Sequence, residues 1–223
     1  MGPERVDPAL DEVAADSVED HVHRLAPVLV VFDKVTIADV AAAAGVAKMT
    51  VTNHFPRKED LVLDIADELI AGPARVVAAR APGESVLAAL RGDFLAALER
   101  CDPTLGFSDR EFAAMVLGSP ALRARLREIH EEREDALASA LAHGLRWDDL
   151  ACRLASAQIV TLQRVLMHEI LDRTANGEPK KSIRDDITPT AQRAFDQLHR
   201  MLPSADDQTS SSERPSANRQ RIR

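Results

Sequence analysis

The stretch from Val35 to Leu61, VTIADVAAAAGVAKMTVTNHFPRKEDL, constrains this chain more than any other. Thr36 is placed to cap a helix, and Asp39 follows three residues later, where a negative charge suits the positive helix end. Ile37, Val40, Ala41 and Ala44 recur at helical spacing, and Gly45 stands where a left-handed C-terminal residue is wanted. A second helix begins near Ala47 and runs to about His54. It stops at Phe55-Pro56, because the residue before proline is pushed out of the helical region. Two helices joined by a turn of about four residues containing glycine make a helix-turn-helix, whose second helix can enter a DNA major groove.

The rest of the chain also favours helix. Alanine, leucine and arginine are abundant, tyrosine is absent and tryptophan occurs once, so few segments have a strand's composition. At 223 residues there is room for a substantial core, in one large or two small domains. No apolar run approaches the roughly 20 residues of a membrane span, so a soluble chain is expected. The acidic opening MGPERVDPALDEVAAD lacks the basic-then-apolar order of a signal peptide. Cys101 and Cys152 lie far apart without metal-ligand spacing and read as reduced thiols, which suits a cytoplasmic location.

Charge is unevenly spread. Between Lys34 and Lys58, four cations (Lys34, Lys48, Arg57, Lys58) face one acid (Asp39), a local +3; with −8 for the whole chain, the remainder carries −11. A basic head on an acidic body suits docking to a polyanion by one face.

Helical periodicity and breakers predict about nine helices. After the hairpin, a helix is expected from Lys58-Glu59-Asp60 to about Ala79, bent or interrupted at Gly72-Pro73. Ala81-Pro82-Gly83 is a turn, and Glu84 to Cys101 repeats Val86, Leu87, Leu90, Phe94, Leu95 and Leu98 at helical spacing. Ser108 caps a short helix through Leu117, and Ser119-Pro120 opens another to about His143, with Gly144 as its stop. Asp148 or Asp149 starts a long helix to Asn176-Gly177. Glu178 to Asp186 reads as a loop, and Thr188-Pro189 as the start of a last helix to about Leu202. Beyond Pro203 the chain is polar, serine-rich and aperiodic, the composition of a disordered tail.

The ordered series threonine-hydrophobic-x-Asp-hydrophobic-Ala, Ala-Gly-Val, x-Lys-x-Thr-hydrophobic and Phe-Pro-x-Lys-Glu-Asp-Leu resembles the DNA-binding segment of the TetR family of transcriptional regulators. The resemblance implies an all-α fold: an N-terminal helix-turn-helix DNA-binding domain (1–57), then a larger helical ligand-binding and dimerisation domain (58–202), then the tail (203–223). It further implies a one-component repressor that binds a near-palindromic DNA operator as a homodimer and answers to a small-molecule effector. A second reading stays open, a helical dimeric small-molecule-binding or interaction module that has lost DNA binding. No cofactor, metal site or catalytic group is expected.

With Val46, Val51 and Phe55 turned inward, Lys48, Met49, Thr50, Thr52 and Asn53 are left to read bases. Thr36, His54 and Lys58 match family positions that hold backbone phosphates. Thr52 and His54 stand where the family usually has Tyr, and Met49 where it often has Gly. The family's dimer helices correspond to about 148–176 and 188–202. The first of these is apolar over more than one face and so needs burial on two sides. Leu154, Ile159, Leu162, Leu166, Ile170, Phe195 and Leu198 are the expected interface. The effector pocket is expected among Phe94, Phe107, Phe112, Met115, Leu126 and His130, with Arg123 as a further polar contact. Upstream the match ends at Phe32: Val31 stands where Gly is expected, and Pro27 falls inside the expected first helix, so this segment is either diverged or read from a shifted frame. His21-Val22-His23, His130-Glu131 and His168-Glu169 lack zinc-motif spacing.

Overall fold

The computed structural model describes residues 29–145 and 147–201. Among them are eight α-helices: α1 (Ile37–Ala44), α2 (Lys48–His54), α3 (Ala66–Ala79), α4 (Val86–Arg100), α5 (Arg110–Gly118), α6 (Pro120–Gly144), α7 (Asp149–Ala175) and α8 (Lys180–Met201). Three 3-10 turns (Leu29–Lys34, Lys58–Leu61, Pro103–Leu105) join them, and no strand occurs among the described residues. The expectations for the first helix, for His21 and His23, and for the tail after Pro203 lie outside the described residues.

Apolar side chains form two separate clusters. Val40, Ala41, Val51 and Leu61 make the small core of the head, with Val35, Ile37, Ala44, Val46 and Phe55 packed around it. The larger core belongs to the body, and it begins at Val62 and Leu63, immediately after the head's last core residue. Phe32, upstream of the head, also belongs to the body core. In the body α3 lies along α6, α6 along α7, and α7 against α5 and α8; α4 closes onto α8.

Local signals set most helix ends. Thr36, Ser85, Asp109, Ser119 and Asp148 each accept a backbone N–H in the first turn of the helix that follows. Gly45 adopts φ 69° and donates its N–H to Ala41 and Ala42 carbonyls, closing α1. Pro120 starts α6 directly after its serine cap.

Three expectations are corrected. The helix expected from Lys58 is a 3-10 turn over Lys58–Leu61, and α3 starts only at Ala66 but then runs unbroken through Pro73. The turn is held by Asp60, whose carboxylate takes the Arg57 N–H and also Arg125 from α6. Asp109, not Ser108, caps α5, because its carboxylate accepts the Phe112 N–H at 2.7 Å while Ser108 donates to a carbonyl. The segment from Glu178 to Asp186 is helical from Lys180, so Pro189 lies within α8 rather than at its start. Pro189 costs α8 a hydrogen bond. Burial of Ile183 and Ile187 offsets that loss, together with Arg173, which clamps Glu178 and Asp186 from α7.

Gly106 lies at a close approach. Its φ is 96°, and a Cβ there would stand 2.9 Å from the Met167 carbonyl oxygen and 3.2 Å from the Leu171 Cβ. The turn after α4 therefore rests directly on the α7 backbone.

Candidate nucleic-acid interface

The head is braced before it can present anything. Thr36 and Asp39 form a reciprocal capping box, with the Thr36 N–H donating to Asp39 at 2.9 Å and the Asp39 N–H to the Thr36 hydroxyl at 3.2 Å. The Thr36 hydroxyl donates back at 2.7 Å, and this bond is the main reason the Asp39 carboxyl is held below its ordinary range. Val51, 1% exposed, locks α2 onto α1.

With Val51 inward, a helical step of about 100° per residue puts Met49 and Asn53 about 160° away from it on either side. Both are exposed, Met49 to 70%. Lys48 is exposed at the start of α2, and Thr50 and Thr52 flank the outward face, half-buried. The Thr52 hydroxyl donates to the Lys48 and Met49 carbonyls, each at 3.1 Å, so it is turned onto its own helix and leaves a methyl outward. The outward face is thus led by Lys48, Met49 and Asn53.

The three expected phosphate contacts are not alike. His54 is exposed at the end of α2. The Thr36 hydroxyl is occupied by its capping box. Lys58 is turned inward: its ammonium donates to the Phe32 carbonyl at 2.9 Å and sits 4.2 Å from the Phe32 ring centroid. Lys58 therefore ties the two ends of the head together, because Phe32 is buried in the body core beside it.

Ion pairs and one hydroxyl fasten the head to the body. Arg125 of α6 bonds Asp60 at 2.8 Å and Glu132 at 2.8 Å. Burial works against its charge, but those bonds hold Arg125 more firmly protonated than usual. Arg57 pairs with Glu128 of α6. The Ser119 hydroxyl, capping α6, donates to Asp33 at 2.7 Å.

In the body, Phe94 and Phe107 are fully buried, Met115 nearly so, and Phe112, Leu126 and His130 half-buried. Phe94 is committed to helix packing, its ring 5.6 Å from that of Phe195 on α8. Leu126 and His130 share a face of α6 one turn apart. Arg123 is exposed. The residue that sequence reading missed is Arg133, 6% exposed, one turn beyond His130.

The expected dimer residues divide. Ile159, Leu166, Ile170, Phe195 and Leu198 are buried in the chain's own core, which removes them from an outward face. Leu162 is half-buried, and Leu154 is 54% exposed. The apolar positions of α7 that reach solvent are Leu150, Leu154 and Val165. Helical spacing revealed that α7 has two apolar faces but not which one the monomer covers.

The two helices of the head and the turn between them form a helix-turn-helix. Residues 32–65 match the family described as bacterial regulatory proteins, tetR family. That match spans the head, from Phe32 to Ile65, and ends just before α3. Comparison with curated proteins finds no match. Among solved structures, NalD of Pseudomonas aeruginosa, described as the secondary repressor of the MexAB-OprM multidrug efflux pump, is similar at 15% identity and a TM-score of 0.52. That alignment covers 86% of this chain and 96% of NalD. The TetR family repressor AlkX of Dietzia sp. strain DQ12-45-1b, implicated in biodegradation of n-alkanes, is 20% identical at a TM-score of 0.47, over 84% and 98% of the two chains. Among the described residues no helix is long and apolar enough to cross a membrane.

Proposed function

We propose that this chain is a cytoplasmic, effector-responsive repressor that grips a near-palindromic operator as a homodimer. The observation that carries the reading is α2, where Val51 is buried and Lys48, Met49 and Asn53 face outward. Asn53 is suited to an adenine edge, Lys48 to guanine or phosphate, and Met49 to thymine methyl groups. Lys34 and His54, both exposed, together with the N-terminus of α1, approach phosphates. The separate apolar cores of head and body support a functional division near Leu61.

The stripe of Leu150, Leu154 and Val165 along α7 supplies the apolar surface for a second copy, with Leu162 at its edge. Two heads held about one DNA turn apart then meet two half-sites. Effector binding in the body changes DNA affinity only if the effector prefers one head spacing over another. The path for that preference is α6, which carries His130 and Arg133 in the body and Arg125 and Glu128 at the head.

Selection of bound duplexes from a random DNA pool, followed by a salt titration of the winner, tests this reading. An inverted repeat with half-sites near one turn apart, bound with affinity falling steeply with salt, supports it. A folded dimer that enriches no sequence refutes it.

A further inference from the structure

The body contains a buried cation that forms no ion pair among the described residues. It is Arg133, 6% exposed. Its Nη2 donates to the Gln163 side-chain oxygen at 2.7 Å, and its Nη1 meets only the Met167 sulfur, at 3.6 Å. Its Nε is buried with no hydrogen-bond partner. A buried guanidinium normally has a carboxylate or phosphate to occupy its fork, since a neutral amide and a thioether satisfy little of its charge.

A second orphan stands beside it. The Nδ1 of His130, three residues earlier on the same face of α6, is also buried and without a partner. Burial, then Arg133 and Arg164, lower the His130 pKa to about 4, so the ring is neutral and lies in a positive field. Burial likewise lowers Arg133, to about 10, which leaves it charged at neutral pH. The acid that counters it from α4 is Asp93, which does not reach ion-pair distance; loss of surrounding water pushes its carboxyl up, against the pull of Arg100 and Arg133. Ile129 and Leu137, one turn either side of Arg133, are fully buried in the apolar core. An N–H donor lacking an acceptor, a neutral imidazole and an apolar surround suit one kind of guest: a small organic anion with a hydrophobic body.

We infer that Arg133, with Gln163 and His130, receives the carboxylate of an apolar monocarboxylate effector between α6 and α7. This rests on the effector-responsive reading above and names the chemical class of the effector. The anion occupies the Nε and Nη donors of Arg133, the imidazole adds a hydrogen bond, and the apolar body follows Ile129 and Leu137. Because Arg133 lies two turns along α6 from Arg125, a guest here bears on the helix that holds the head.

The test is isothermal titration of the full chain with two matched pairs: octanoate against 1-octanol, and phenylacetate against 2-phenylethanol. A charge-assisted contact predicts that at least one carboxylate binds about ten- to hundredfold more tightly than its alcohol. Arg133→Met keeps the bulk without the charge and should abolish that preference, and Arg133→Lys, which lacks the fork, should recover it only in part. Arg123→Met, on the exposed face of the same helix, should leave it intact. Failure of both carboxylates to bind, equal binding of acid and alcohol by the unaltered chain, or a preference that survives Arg133→Met overturns the inference. Operator binding without added probe is measured on the same sample; if it persists while the carboxylates fail, only this inference falls.

Discussion

Gly106 offers the sharpest test of how the body is built. Replacing it with Ala adds one methyl group and brings two separable costs. At φ 96° any L side chain is strained, by about 1–2 kcal/mol. The new Cβ would also stand 2.9 Å from the Met167 carbonyl and 3.2 Å from the Leu171 Cβ. Neither is the free end of a flexible side chain, so the turn or α7 must shift, an overpacking cost of about 1–3 kcal/mol. The sum centres on about 3.5 kcal/mol, which for a chain of this size lowers Tm by roughly 7–14 °C. Gly45→Ala is the internal control, because Gly45 also has positive φ, 69°, but nothing lies within 4 Å of its Cβ position. That variant should cost only about 1 kcal/mol, or roughly 2–4 °C. Urea and thermal unfolding of both variants at one protein concentration separates the terms. If Gly106→Ala costs no more than Gly45→Ala, the close packing of this turn on α7 is wrong.

The His130 pKa of about 4, against 6.5 for the unfolded chain, means the unfolded state binds more protons between those values. Stability from this group is therefore complete above about pH 6.5 and lost as pH falls toward 4, by up to about 3 kcal/mol. His130→Gln should flatten that part of the urea-midpoint profile; an unchanged slope would show that His130 is not desolvated. Leu154→Glu, on the exposed apolar stripe, should convert the proposed dimer to monomer in light scattering while leaving helicity unchanged; an intact dimer moves the interface elsewhere. Asn53→Ala should cost about 1–3 kcal/mol on the selected operator and relax preference at one base position, read by competition binding; uniform weakening across sequences would assign it to phosphate. Arg125→Met leaves Asp60 without its partner and should lower stability by about 1–3 kcal/mol, between exposed and buried ion pairs. A chemical-denaturation change near zero would mean the head is not held there.

What was legible in the sequence is what neighbours along the chain decide. Thr36 with Asp39, Gly45, Phe55-Pro56 and Ser119-Pro120 all act within one helical turn, and the structure has each where the residues indicate. What was not legible depends on distant partners. Arg133 sits in RARLREIHEERED, which reads as a solvated face, and it is buried only because Gln163 and Met167 arrive from 30 and 34 residues away. Pro189 reads as a helix start, yet Arg173 of the preceding helix already holds Asp186 in a helical turn. Leu150 and Ile170 are chemically alike, and only the placement of α5 and α8 decides which is covered.

The division of the two cores has a mechanical consequence. The chain passes into the head beside Phe32 and leaves it at Leu61, and both places are pinned to the body, one through Asp33 and Ser119, the other through Asp60 and Arg125. Lys58 bonds the two pins to each other. Arg57 with Glu128 reinforces the second pin, and the softest motion left is rotation about the line through the two pins, as a door turns on its hinges. Twisting or sliding would strain both pins, so a swing is the least costly motion of the head against the body.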